Sequence, residues 1–318
     1  MGARLLIYAL GGGWGHLVRG LAFARAATRA GHRVRLLVNS PHADRVDAAA
    51  ELGPRGELLA IDSTLTRVEQ IAAVECALDE APWDLLLVDT FPRGLGGELA
   101  ARIPEEGRPC VWIHRDLHPD YVARYGLREF AAHYSELWLP GEDAPLAGHP
   151  RAVRTAPWLV RDPHERLSRV AAREALGVGD ERPLVLVSRA GTPAESAAAP
   201  ALAARLEDAL GADVHVRCPS HWPLVELLPG ADLLVGAGGY HTVHEARACG
   251  VPLLAVPRPR RYDRQARRLT AAERVAADGL VERARAQLAS PASPPRESDN
   301  GVQQALARLE ALLGLEVG

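Results

Sequence analysis

Gly236–Pro257 reads GAGGYHTVHEARACGVPLLAVP and follows the apolar run 232–235. This pattern predicts a strand that ends in a double glycine, then a short helix carrying Thr242 and Glu245, then a second strand over 252–256. Gly238 and Gly239 permit a tight turn and a close backbone approach to a ligand, and the helix behind them offers unpaired N–H groups and the positive end of its dipole. A diphosphate suits that arrangement. Glu245, expected near the end of the helix's first turn, is placed to accept two hydrogen bonds from the vicinal hydroxyls of a ribose. Taken alone, such a turn is more often a plain strand-to-helix connection with a solvated glutamate, so its meaning depends on the chain around it.

Outward from this stretch, apolar runs alternate with segments of helical spacing. Strands are expected at 4–9, 34–38, 57–61, 85–89, 110–113 and 136–139, with helices at 16–30, 43–52, 66–80, 95–102 and 119–133. Periodicity fails between His149 and Pro163, where Pro150, Pro157 and Pro163 cluster, and the alternation then restarts. Its second run has strands at 184–188, 214–218, 232–235 and 252–256, and helices at 165–176, 194–210 and 263–277. A Pro/Ser loop over 290–301 and an amphipathic helix over 302–313 complete it. Alternation of this kind means parallel sheets with both faces covered. The expected fold is α/β: two Rossmann-like, doubly wound domains, 1–152 and 153–318, facing each other across a cleft, with ligands at the carboxyl ends of the strands.

The 318 residues are 47% hydrophobic and 24% charged, with a net charge of -3, which offers no electrostatic case for nucleic acid. All 37 cationic side chains are arginine. A lysine Schiff base and a P-loop lysine are therefore excluded. Cys76, Cys110, Cys218 and Cys249 stand far apart in apolar contexts, as small buried hydrophobes of a reducing compartment would. The first apolar run is too short for a signal peptide or membrane span. The expectation is a cytoplasmic protein with no metal, no cofactor and no evident membrane partner.

Gly11–Gly20, GGGWGHLVRG, joins the first expected strand to the first helix. His16 stands at the helix start, and an imidazole there can take a proton from a hydroxyl near neutral pH. No acid follows the second strand, where the sequence is Leu37-Val38-Asn39, so a nicotinamide ribose has no partner. Asp89 ends the run DLLLVD at a strand's carboxyl end, from which it can orient His16 and stabilise its protonated form, or else begin an Asx turn. The cluster WIHRDLHPDY, 112–121, crowds His114, Arg115 and Asp116 onto another strand end.

These residues resemble the glycosyltransferases of the GT-B fold, especially family 28, a group that includes the N-acetylglucosaminyltransferase that makes lipid II. The likeness lies in GGGWGH at 11–16, in Ile113-His114-Arg115-Asp116 against the family's IHxxN acceptor loop, and in GGYHTVHEARACGVPLLAVP followed by Tyr262-Asp263-Arg264-Gln265. It implies that Gly238, Gly239, Tyr240, His241 and Thr242 line the donor diphosphate, Glu245 the ribose, and Asp263 and Gln265 the hydroxyls of the donor sugar. His16 would be the catalytic base, with Asp89 as its partner. Gly13, Trp14, His114, Arg115 and Asp116 would form an acceptor loop, and the last helix would cross back to the N-terminal domain.

The chain departs from the family in two places. Ser188-Arg189-Ala190-Gly191-Thr192 replaces its glycine-serine loop, which leaves Ser188, Gly191 and Thr192 as candidate phosphate contacts. Arg115 and Asp116 replace a Glu-Gln pair, which argues against lipid I as acceptor. The expected activity is inverting, metal-independent transfer from a nucleoside-diphosphate sugar, expected to be UDP-linked, to an acceptor hydroxyl. Gly13, Gly15, His16 and Arg19 equally fit the GxGHxxR loop of nucleotide-sugar hydrolases of the pseudaminic-acid pathway type. A non-catalytic nucleotide-sugar binder is the third alternative.

Overall fold

The computed structural model describes residues 2–289 and 299–315. It divides into two compact units: the chain up to Val160 together with the segment from Asp299, and the chain from Arg161 onward between them. The first unit contains β1 (Arg4–Tyr8), α1 (Trp14–Arg29), β2 (Arg33–Val38), α2 (Ala48–Leu52), β3 (Gly56–Ala60), α3 (Arg67–Asp79) and β4 (Leu85–Asp89). It continues with α4 (Arg102–Glu105), β5 (Cys110–Ile113), α5 (Pro119–Arg124), α6 (Leu127–Phe130), β6 (Glu136–Pro140) and β7 (Ala152–Thr155). The second contains α7 (Arg169–Ala175), β8 (Leu184–Val187), α8 (Pro193–Leu210), β9 (His215–Arg217), β10 (Leu233–Gly236), α9 (Tyr240–Cys249), β11 (Leu253–Ala255), α10 (Gln265–Arg268) and α11 (Leu280–Leu288). Helix α12 (Gly301–Leu312) belongs to the first unit.

Both sheets are wholly parallel, in the order β3-β2-β1-β4-β5-β6-β7 and β11-β10-β8-β9. The α/β doubly wound architecture read from the alternation is thus present in each unit. Strand β4 is LLLVD with every residue buried, as a central parallel strand covered on both faces requires. Its register with β1 pairs Val88 with Tyr8, so Asp89 emerges just beyond the end of β1, beside the loop that opens α1. Phe23 of α1 packs on Trp138 and Trp158, with ring centroids 5.8 and 5.3 Å away. The second core gathers Val185, Val187, Leu206, Leu233, Val235, Leu254 and Leu280.

The chain divides at 160/161 rather than 152/153, because 152–155 is an edge strand of the first sheet and not linker. Its prolines flank the strand, where no ladder donor is lost. The helix expected over 119–133 breaks at Gly126, whose φ of 56° is left-handed. The helix expected over 263–277 shrinks to α10. Residues beyond it extend along the sheet edge instead, where Ala255 N–H donates to Glu273 O at 2.7 Å and Val275 N–H to Ala255 O at 3.0 Å. Helix α11 was not anticipated.

All four cysteines are free, and Cys76 is exposed rather than buried. Of the expected Pro/Ser loop, 290–298 lies outside the described residues. Among the described residues no helix is long and apolar enough to cross a membrane.

Candidate active site

In the first unit, the loop between β1 and α1 is held from the end of β2. Asn39 Oδ1 accepts the N–H groups of Gly11 and Gly12 at 2.8 and 3.0 Å. Where a dinucleotide-binding chain would carry an acid, this one uses an amide to shape the loop. Gly11 leaves the space that the imidazole fills, since a Cβ there would lie 2.1 Å from the His16 ring. Gly13 caps α1 through its backbone alone, and Trp14 stacks on His42 with centroids 4.6 Å apart.

His16 Nδ1 lies 2.6 Å from Asp89 Oδ2. Asp89 is fully buried, and so is Arg19, which donates Nε–H to Oδ1 and Nη2–H to Oδ2, both at 2.7 Å. Burial would raise the Asp89 carboxyl, but the Arg19 charge and the His16 hydrogen bond outweigh it and hold the group far below the usual carboxylate range. An ionised Asp89 assigns the ring proton to Nδ1. Among the described residues Nε2 makes no hydrogen bond, so its lone pair is available. Burial lowers the His16 pKa against the opposing pull of Asp89, and Arg19 and Arg115 push the same way as burial. Asp89 thus pulls toward the protonated ring, as expected of it, but burial first, and then Arg19 and Arg115, outweigh that pull. Phe91 stacks on the imidazole at 5.6 Å.

His114 does not belong to an open acceptor loop. It is fully buried, its Nε2 accepts the Leu146 N–H at 3.1 Å, and burial lowers its pKa to about 3. Arg115 Nε and the Asp116 N–H both reach Glu142 Oε2, at 3.3 and 3.4 Å, and all three side chains are buried. The polar crowd at the end of β5 is largely internal wiring.

In the second unit, β10 runs into Gly238-Gly239 and α9 begins at Tyr240 with Gly239 as its backbone cap. A Cβ on Gly238 would stand 2.9 Å from the carbonyl oxygen of Gln265, so only glycine lets the 265 segment pass this close. Gln265 Oε1 accepts the Arg258 N–H at 2.9 Å, and Arg268 Nη2 donates to Asp263 Oδ1 at 2.6 Å while Nη1 reaches Gly238 O. Asp263 and Gln265 thus tie the 258–268 segment onto the turn. Tyr240 and Thr242 are buried.

Glu245 lies in the second turn of α9, not at the end of the first. It is 7% exposed, and among the described residues its carboxylate accepts no hydrogen bond, with His241 Nδ1 3.6 Å from Oε1. Burial raises its pKa to about 8, against the nearby Arg166.

At the end of β8, Thr192 caps α8 through a reciprocal box with Glu195, and Ser188 Oγ accepts the Ala190 N–H at 3.2 Å. Both hydroxyls are locally engaged, and Gly191 turns with a φ of 146°. The free cation is their neighbour, Arg189, whose Nε is buried without a hydrogen-bond partner among the described residues. It lies close enough to Cys218 to act on that thiol. Sequence reasoning passed over it because an arginine in a family glycine position reads as a lost contact. Ser188 lies beside the strand that leads into the turn before α9, its Cβ 3.3 Å from where a Cβ on Gly236 would stand. Among the described residues no three His, Cys, Asp or Glu side chains gather as a metal site.

No protein-family model matches the chain by sequence, and no curated protein does either. Solved structures do. The glycotransferase of kitacinnamycin superposes with a TM-score of 0.67 at 19% identity, covering 98% of this chain and 100% of that one. MurG of Acinetobacter baumannii gives 0.59 at 16% identity over 98% of this chain and 100% of its own. The Streptomyces sp. SF2575 glycosyltransferase SsfS6, solved with thymidine diphosphate, gives 0.58 at 17% over 98% and 96%. The chain therefore has the fold of the GT-B glycosyltransferases.

Proposed function

We propose that the chain is an inverting, metal-independent glycosyltransferase that moves a sugar from a nucleoside-diphosphate donor to an acceptor hydroxyl. The observation that carries this reading is the buried His16–Asp89 pair, which leaves Nε2 unbonded in a chain of this fold. Nε2 takes the proton of the acceptor hydroxyl as its oxygen attacks the anomeric carbon. The bond from that carbon to the diphosphate oxygen breaks, and its electron pair leaves with the diphosphate. Attack opposite the leaving group inverts the anomeric centre. The N–H groups of Gly239–Thr242, the α9 dipole and Arg189 offset the charge that develops. Gly238, Tyr240 and His241 shape that turn, Asp263 and Gln265 frame it, and Glu245 takes the ribose diol.

A nucleoside diphosphate is supported by SsfS6, which binds thymidine diphosphate. Glu245 favours a ribose, and hence UDP. A thermal-shift comparison of UDP and TDP tests this, since a ligand at 100 times its dissociation constant adds about 2.7 kcal/mol of stability. UDP is expected to give the larger shift, and Glu245→Ala to erase the difference. His16→Ala is expected to lose about 10² to 10⁴ in turnover and keep UDP affinity, because a general base supplies that much. Unchanged turnover would remove His16 from the reaction. Release of free sugar from the donor without any acceptor would instead identify the hydrolase, which uses the same base on water.

A further inference from the structure

His16 and Arg19 stand one turn apart on α1 and so share a face, and both reach the one carboxylate of Asp89. Arg19 grips it as a fork, with two near-parallel hydrogen bonds, and its Nη2 also reaches Thr90 Oγ1 at 3.2 Å. Thr90 has a left-handed backbone, with φ 65°, the one non-glycine residue described in that region. Arg19 is fully buried, so its charge acts on its neighbours with little solvent screening.

A lone carboxylate beside an imidazole favours the protonated ring. Here the guanidinium, always charged, sits on the same carboxylate. The buried group sums to zero while His16 is neutral and to one positive charge after it takes a proton. The charged groups facing His16 are Asp89, Arg19 and Arg115, the last paired with Glu142; Phe91 covers the ring and brings no charge.

We propose that Arg19 is a positioning residue for the base: it locks Asp89 by its fork, so that the imidazole is fixed with Nδ1–H inward, and it cancels the carboxylate's charge at His16. The inference rests on His16 as the base. Its consequence is an imidazole whose pKa stays below the ordinary histidine value although a carboxylate touches it, and a histidinium that gives its proton up more readily for that.

The test is a long-range ¹H–¹⁵N NMR titration of the ligand-free full chain, with the His16 signals assigned by their loss in His16→Gln. The wild-type protein is expected to show the Nδ1–H tautomer and a midpoint below the ordinary 6.5. In Arg19→Gln the midpoint moves to a pH higher by about one to two, as an uncompensated carboxylate then acts on the ring. In Asp89→Asn it falls below the wild-type value, because Arg19 then faces the ring alone. A wild-type midpoint above 6.5, or a folded Arg19→Gln protein with an unmoved midpoint, would overturn the proposal. If Arg19→Gln does not fold, Arg19→Lys, which keeps a cation beside Asp89, and Asp89→Asn carry the test: a midpoint that stays near the wild-type value in the first and falls in the second is expected, and an Asp89→Asn midpoint at or above the wild-type value overturns the proposal. No arm uses nucleotide or acceptor, so a chain that transfers no sugar still answers the question about Arg19.

Discussion

Glu245 is costly to ionise in the free protein, because burial pushes its pKa up to about 8 from 4.5. The folded chain therefore holds a proton there between those two values that the unfolded chain has already lost. Stability falls as pH rises through that window, by about 1.4 kcal/mol each time the proton concentration drops tenfold. Glu245→Gln, which keeps the shape and removes the titration, is expected to melt higher than wild type at pH 8 and to differ little at pH 5. Calorimetry at the two pH values checks this, and equal differences at both would show that Glu245 does not titrate in this range. If a ribose diol binds the carboxylate, UDP binding at pH 7 expels a proton. Titration calorimetry in two buffers of different ionisation enthalpy reads that proton directly. At this scale Asp89 was legible, because DLLLVD announces an acid at a buried strand's end. The pairing of Arg19 with it was not, since only the placing of β4 beside β1 brings that acid beneath the face of α1 that carries His16 and Arg19.

The turn before α9 was the most legible element, because its glycines and the helix after them are local features. Its surroundings were not. The segment after β11 has helical spacing, yet its backbone pairs with Ala255, and the N–H and C=O groups of an edge strand outcompete a weak local helix. The proposed cation for the phosphate, Arg189, comes from the loop between β8 and α8. Arg189→Ala is expected to weaken UDP binding about tenfold, roughly 1.4 kcal/mol, and to leave uridine binding unchanged, since only the diphosphate presents charge to it. Equal losses for both ligands would place Arg189 in the frame of the turn and not at the phosphate. Ser188 and Thr192 looked equally suitable in sequence, but the Thr192 hydroxyl is spent on capping α8 and the Ser188 hydroxyl accepts the Ala190 N–H in its own loop.

At the scale of the whole molecule, alternation alone conveyed two parallel sheets, because a chain that alternates strand and helix has few other ways to cover both faces. The point of division was hidden, since β7 lies among prolines. Helix α12 is fastened to the first unit by Asn300, whose side chain accepts from Leu159 N–H at 3.0 Å and donates to Leu159 O at 2.8 Å. A Cβ on Gly301 would stand 1.8 Å from the carbonyl oxygen of Ala156. Gly301→Ala is expected to cost at least about 1–3 kcal/mol, the usual range for overpacking, and to lower the melting of the first unit only. Hydrogen exchange resolved by segment checks it: loss of protection in α1 and β1 with none in β8 or β10 is the expected pattern.

That fastening gives the chain a particular order of assembly. The second unit, which begins at Arg161, is an insertion within the first, whose closing helix is made after it. On the ribosome, the insertion can reach its own core while the unit around it still lacks α12. The strands of the sheet that carries Asp89 are thus all made before the second unit, and for that interval one face of α1 waits for a partner that has not yet been synthesised.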